Sequence, residues 1–223
     1  MISAQIKSKK RVKDHGEVFT PDFIVDDMLD LVKDQTERED SRFLEPACGG
    51  GNFLAPVLQR KLAAVSKKYS KSQTDFEKHA LQAVSSIYGI ELLADNVETC
   101  RKRLYKIIAQ IYKKKYRTKA KELFLESVEY VLKKNILEGN ALTLKTNNEK
   151  EYIIFAEWAF LSRGMVKRRD FVFREMGDFD PNAMLYHSKR EISDTGEHVF
   201  SPFPTPDNYP LKHYLRLDYE DNE

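Results

Sequence analysis

Apolar positions along the first two-thirds of the chain alternate between a period near 3.6 and short continuous runs. Val25, Met28, Leu29 and Val32 fall at i, i+3, i+4 and i+7. That spacing predicts a helix, with Thr20 as N-cap and Pro21 as its first residue. Residues 1–15 are basic and polar without a period and read as a flexible arm; residues 34–41 read as a charged connection. RFLEPA is a short strand leading into CGGGN, and Leu54, Val57, Leu58 and Leu62 then line one face of a helix starting near Asn52. A lysine- and serine-rich loop follows, then a helix around residues 75–85 and a buried strand, SIYGIEL. Asp95 opens a helix with the stripe Val97, Cys100, Leu104, Ile107, Ile108 and Ile111. KKKYRTKAKE interrupts it, another helix occupies residues 121–132, NILEGNAL is a third strand and EYIIFAEWAF a fourth.

Strands alternating with helices predict an α/β fold with a parallel, doubly wound sheet. After about residue 175 the signal fades, and SPFPTPDNYPLKHY is too rich in proline for a helix or a central strand. The chain thus divides into a basic arm (1–15), a ligand-binding domain (16–175) and a poorly structured or partner-docking tail (176–223).

Composition narrows this picture. With 223 residues, 41% apolar and 32% charged, the chain can bury one sizeable core and is not of disordered type. No apolar run approaches the ~18 residues of a membrane helix, and the N-terminus has no apolar segment of secretory type. Cys48 and Cys100 then read as reduced thiols of a cytoplasmic protein. A net charge of only +2 means that nucleic acid must be met by local patches. KSKKRVK near the start, residues 113–121 and VKRRD at 166–170 are candidate phosphate contacts.

The chemistry concentrates in LEPACGGGNFL. A strand ends at Glu45, and Gly49, Gly50 and Gly51 precede a helix, so a ligand can approach backbone N–H groups closely there. A dinucleotide fingerprint lacks its third glycine here, Leu54 standing in its place. Glu45 at the strand end attracts an ammonium group rather than a pyrophosphate, which suits S-adenosylmethionine, with its amino group, sulfonium and no phosphate. Glu91 ends the next strand, where an acid grips a ribose diol, and Asn140 follows the third, where an amide meets adenine.

These segments resemble the adenine-N6 DNA methyltransferases of restriction-modification systems over roughly residues 14–144. GEVFTPDFIVDDMLDLV resembles their motif X, with Phe19, Thr20 and Pro21 in the motif's positions. LEPACGGGNFL resembles motif I through Glu45, Ala47, Gly49 and Gly51, followed by Asn52 and Phe53; GIEL resembles motif II through Glu91, and GNAL motif III through Asn140. The order X–I–II–III is similar to the gamma arrangement. The resemblance implies a Rossmann-like fold, S-adenosylmethionine as cofactor and DNA as substrate.

The family's catalytic N-P-P-Y or D-P-P-Y tetrapeptide is missing, since the sequence contains no Pro-Pro. In that motif the Asn or Asp and a proline carbonyl accept the hydrogens of a weakly nucleophilic amino group, while the aromatic ring stacks on the flipped base. Glu157 and Trp158 at the end of the fourth strand, and Asp180-Pro181-Asn182 further on, are the weak substitutes at hand. Four strands also fall short of the family's seven. The expectation is therefore a split enzyme, whose partner chain brings N-P-P-Y, the remaining strands and target recognition and docks through EYIIFAEW, with Ile153 and Phe155 at the interface, or through the segment after it. A non-catalytic cofactor-binding remnant or regulatory interaction protein is the alternative, and a methyltransferase of small molecules or proteins a third reading.

Overall fold

The computed structural model of the chain describes residues 8–15, 17, 18, 20–174, 190–192, 198–200, 205 and 209–218. Phe19 of the GEVFTP segment and the Asp180-Pro181-Asn182 run lie outside the described residues.

Helix α1 (Lys9–His15) forms within the stretch expected as an arm. Helix α2 (Asp22–Asp30) starts one residue later than its periodicity suggests. Pro21, not Thr20, is the N-cap, and its carbonyl accepts from Ile24 N and Val25 N at 3.0 and 3.1 Å. Val25 and Leu29 are buried, whereas Ile24, Met28, Leu31 and Val32 are exposed. A short helix, α3 (Lys33–Thr36), lies within the expected charged connection.

Strand β1 (Phe43–Glu45) follows, then helices α4 (Leu54–Lys68) and α5 (Gln73–Ser85), and strand β2 (Ile87–Glu91). Helices α6 (Ala94–Tyr116) and α7 (Glu122–Asn135) precede strand β3 (Ile136–Glu138). The three strands form a parallel sheet in the order β1-β2-β3, pairing Glu45 with Gly89 and Glu91 with Glu138. Each crossover carries two helices. Ser72 caps α5 by accepting from Asp75 N at 3.2 Å. Helix α6 ends at the lysine run, where Arg117 turns the chain with φ +49°.

The faces of β2 show how the layers stack. Ile87 joins the main core with Leu54, Leu58, Phe76, Leu104, Phe124 and Val128 of the four large helices. Ile90, three positions on and therefore on the opposite face, joins a smaller cluster with Ile153, Phe155, Leu137 and Phe173. The described helices of the crossovers thus share one core, and a β-hairpin covers the second face.

That hairpin is the expected fourth strand. Strand β4 (Ile154–Phe160) runs antiparallel to β5 (Met165–Val172), and the pair forms its own sheet. Only residues 161–164 connect them, with Arg163 at φ +59° and Gly164 at φ +74°. A link that short closes an antiparallel pair and cannot carry a parallel crossover. Strands β6 (Arg190–Ile192) and β7 (His198–Phe200) pair with each other, and β8 (Lys212–His213) adds antiparallel to β5. In the tail, Tyr209, Tyr214 and Leu217 are buried in the main core. Tyr214 donates to the Glu77 carboxylate at 2.8 Å, so the described residues 209–218 pack on the chain itself.

Ile153 and Phe155 are buried in the chain's own second cluster, which removes them as an intermolecular interface. Among the described residues, β1 pairs with β2 alone, and its other edge is open. Phe43 N donates to Ser86 O, so Phe43 and Glu45 face β2 and the N–H and C=O of Leu44 face outward.

Candidate functional site

The site is built at the carboxyl edge of the parallel sheet, where strands deliver Glu45, Glu91 and Asn140 next to the glycine turn. Cys48 N donates to Ile90 O at 2.9 Å and Gly51 N to Cys48 O at 2.8 Å, folding the chain back on the end of β2. Gly49 and Gly51 take left-handed φ values of +51° and +83°, which L side chains rarely adopt. Gly51 O then accepts from Ala55 N at 2.9 Å, leading into α4.

Two glycines make room for two thiols. A Cβ at Gly51 would stand 2.9 Å from the Cys100 sulfur, and one at Gly89 would stand 2.8 Å from the Cys48 sulfur. Gly51 thus serves close packing against α6. The hydrogen bond with Cys100, together with burial, holds the Cys48 thiol well above the usual cysteine range. Both cysteines are buried and free.

Glu91 organises the edge. One carboxylate oxygen accepts from Gly49 N at 2.8 Å and the other from Leu93 N at 2.9 Å, while its own carbonyl accepts from Gly139 N at 3.0 Å. One residue therefore joins the glycine turn, the entry to α6 and the end of β3. Glu45 is half-buried, and its carboxylate accepts from Ala47 N at 3.3 Å. Asn140 is half-buried, its side-chain oxygen accepting from Leu142 N at 2.9 Å.

Other residues singled out in the sequence have partners of their own. The Asn52 side-chain oxygen accepts from Arg103 of α6, and Phe53 packs against the main core. Thr20 is exposed and Pro21 half-buried. Glu157 and Trp158 lie at the opposite, amino edge. Glu157 pairs with Arg42, just ahead of β1, and with Arg169 at 2.6 Å. Trp158 is buried and its indole N–H donates to the side-chain oxygen of Asn135, just ahead of β3, at 2.9 Å.

The basic runs divide: Lys113, Lys114, Arg117 and Lys119 are exposed, whereas several cations of 166–170 are spent internally. Arg168 is buried and pairs with Asp170 at 2.6 Å, Lys167 donates to the Tyr209 carbonyl, and Tyr112 is a core residue. Lys121 pairs with buried Glu77 at 2.8 Å. Among the described residues there is no cluster of three metal-ligating side chains, and no helix is long and apolar enough to cross a membrane.

Sequence reasoning passed over one cluster. Glu17 of the GEVFTP segment is almost fully buried and accepts from Asn96 Nδ2 at 2.6 Å and from Arg11. Arg11 also forks onto Asp95 at 2.9 and 3.1 Å. These pairs span 79 and 84 residues, beyond any local pattern, although Glu17 itself stands inside a quoted motif.

An α/β domain with a glycine turn between strand and helix, and an acid closing each of the first two strands, is the class of a methyltransferase domain. A family model described as the MmeI DNA-methyltransferase domain matches residues 24–153, more than half of the chain, and the chain belongs to that family. It is also 48% identical over 52 residues to the Type II methyltransferase M.PaeR7I of Pseudomonas aeruginosa. That match covers 22% of this chain and 9% of the relative. No solved structure gives a significant match.

Proposed function

We propose that this domain binds S-adenosylmethionine at the carboxyl edge of its parallel sheet and forms the cofactor-holding part of an adenine-N6 DNA methyltransferase of a restriction-modification system. Glu91 carries the reading. Each of its oxygens takes one backbone N–H and keeps a further lone pair, which suits the two donors of a ribose diol. Glu45 supplies the negative charge for the amino group of the methionine end, and Asn140 directs its amide at adenine. The turn around Gly49 and the start of α4 offer backbone N–H groups to the carboxylate of the same ligand. The cofactor, when bound, supplies the sulfonium methyl; the residues present here bind and orient it.

The acceptors that activate the target amino group come from outside these 223 residues, in this reading from a partner chain with N-P-P-Y. Glu157 and Trp158 have no catalytic part, because they sit at the amino edge. A parallel strand added at the open edge of β1 places its own carboxyl end beside Glu45, where such acceptors are needed. The test is calorimetry of the full chain with S-adenosylmethionine, followed by tritium transfer to adenine-containing DNA with and without an N-P-P-Y chain. Binding by the lone chain and transfer only with the second chain are expected. Robust transfer by the lone chain overturns the split reading.

The internal use of Lys167, Arg168 and Lys121 favours one second reading, a non-catalytic cofactor-binding protein. Binding that stays silent in transfer when an N-P-P-Y chain is added selects it.

A further inference from the structure

The segment carrying Thr20 and Pro21 is held at both ends. Downstream it enters α2, whose Val25 and Leu29 are in the main core and whose Asp30 pairs with Arg60 of α4 at 2.7 Å. Upstream it is held by Glu17. That carboxylate gathers the Arg11 guanidinium and the Asn96 amide, and the backbone closes as well, with Glu17 N donating to Arg11 O at 3.5 Å. Arg11 reaches on to Asp95, beside Asn96 in the first turn of α6. The same stretch of chain receives Glu91, since Leu93 N donates to its carboxylate. Glu17 is therefore anchored at the α6 entry, and α2, which follows Thr20 and Pro21, is anchored at α4; α6 and α4 are the two elements that flank the glycine turn.

We infer that Arg11 is a positioning residue of the cofactor site, whose fork onto Glu17 and Asp95 holds Glu17 against the α6 entry that also receives Glu91. The inference rests on the S-adenosylmethionine reading above. Arg11 touches no ligand in this scheme; its effect passes through Glu17. A planar guanidinium suits the task because it serves two carboxylates in fixed geometry, which an ammonium group does not. The latch is an ion-pair device at a partly exposed site, so salt weakens it.

The experiment is calorimetric titration of the full chain with S-adenosylmethionine at low and high salt, for the unsubstituted protein and for Arg11→Ala, Arg11→Lys and Asp95→Asn. Amide hydrogen exchange and thermal unfolding run in parallel. Arg11→Ala is expected to lower affinity about tenfold at low salt, and the two proteins to converge as salt rises. Arg11→Lys recovers part of the loss, and Asp95→Asn costs about threefold because the Glu17 pair remains. Exchange speeds up at residues 17–21 while β1, β2 and β3 keep their protection and the unfolding midpoint stays in place. Equal low-salt affinity of the unsubstituted protein and Arg11→Ala overturns the latch. Loss of strand protection in both Arg11→Ala and Asp95→Asn overturns it too, since the role is then general stability. No binding by the unsubstituted protein overturns the cofactor reading itself, and this inference with it.

Discussion

The two edges of the parallel sheet are built from similar polar residues and put to different use. At the amino edge, groups are closed against each other. The buried Lys61 ammonium donates to the carbonyls of Arg38 and Ser41 at 2.7 and 2.6 Å, Asn135 answers Trp158, and Arg168 answers Asp170 and Tyr130. At the carboxyl edge, each carboxylate oxygen of Glu91 and the side-chain oxygen of Asn140 take one N–H donor from the turns around them, and Glu45 stays half-exposed. A carboxylate oxygen has two acceptor positions, so a group satisfied by one donor is stable without a ligand and still able to receive one. Saturation fixes a fold; partial saturation leaves chemistry to do.

The sharpest break of this comparison is at the amino edge. Arg168→Ala leaves Asp170 buried with its main partner gone, which should cost about 3–5 kcal/mol in urea unfolding, with little effect on S-adenosylmethionine affinity of the folded fraction. Restoration of stability by the Arg168→Met, Asp170→Leu pair would show that the cost is the orphaned charge.

Lys61 sharpens it by pH. Burial lowers its pKa to about 8 from an ordinary 10.5. Between those values the unfolded chain binds more protons than the folded one, so this group makes stability rise with pH across the window, by up to about 3 kcal/mol. Tyr88 and Tyr112, raised to about 12 by burial, act in the opposite sense above pH 10, where the unfolded phenols ionise first. The difference in urea midpoint between the unsubstituted chain and Lys61→Met across pH 8–10 isolates the lysine; a pH-independent difference refutes the assignment.

The next effect is at the carboxyl edge. Glu91→Gln keeps one acceptor oxygen, loses the charge and sets an NH2 donor against the N–H of Gly49 or Leu93, so S-adenosylmethionine affinity should fall by about 1–3 kcal/mol in calorimetry and the unfolding midpoint should fall with it. The smallest is Gly51→Ala, expected to cost about 1–2 kcal/mol of stability through its φ and the Cys100 contact. Gly51→Ala combined with Cys100→Ala should recover the contact part and leave the backbone part.

The elements most legible in the sequence are those with local causes. The stripe from Val97 to Ile111 gave α6, and the three apolar runs ending in Glu45, Glu91 and the Gly139-Asn140 turn gave the parallel sheet in its order of use. What escaped depends on contacts far apart in the chain. EYIIFAEWAF reads as a strand, but nothing in its own residues says that a four-residue turn pairs it with Met165–Val172 and lays it across the sheet. The glycines of the turn read as room for a ligand, whereas the group that a Cβ at Gly51 would meet is Cys100, 49 positions away in sequence. The lysines and arginines of 166–170 read as a phosphate patch because the partners that absorb them, Tyr130, Glu157 and Tyr209, lie on other elements.

The open edge of β1 has a consequence for assembly. The strand is three residues long, and only Leu44 turns its N–H and C=O outward, so a strand added there gains about two backbone hydrogen bonds, worth roughly 1–3 kcal/mol together. That is far less than the free energy of a lasting complex. Most of the binding must come from side chains. Exposed Leu44, and exposed Ile24 and Met28 of α2 with Leu31 just after that helix, are apolar groups on or shortly ahead of that strand in sequence. The backbone edge would then act as a ruler that fixes register and direction, while the apolar side chains set how long two chains stay together.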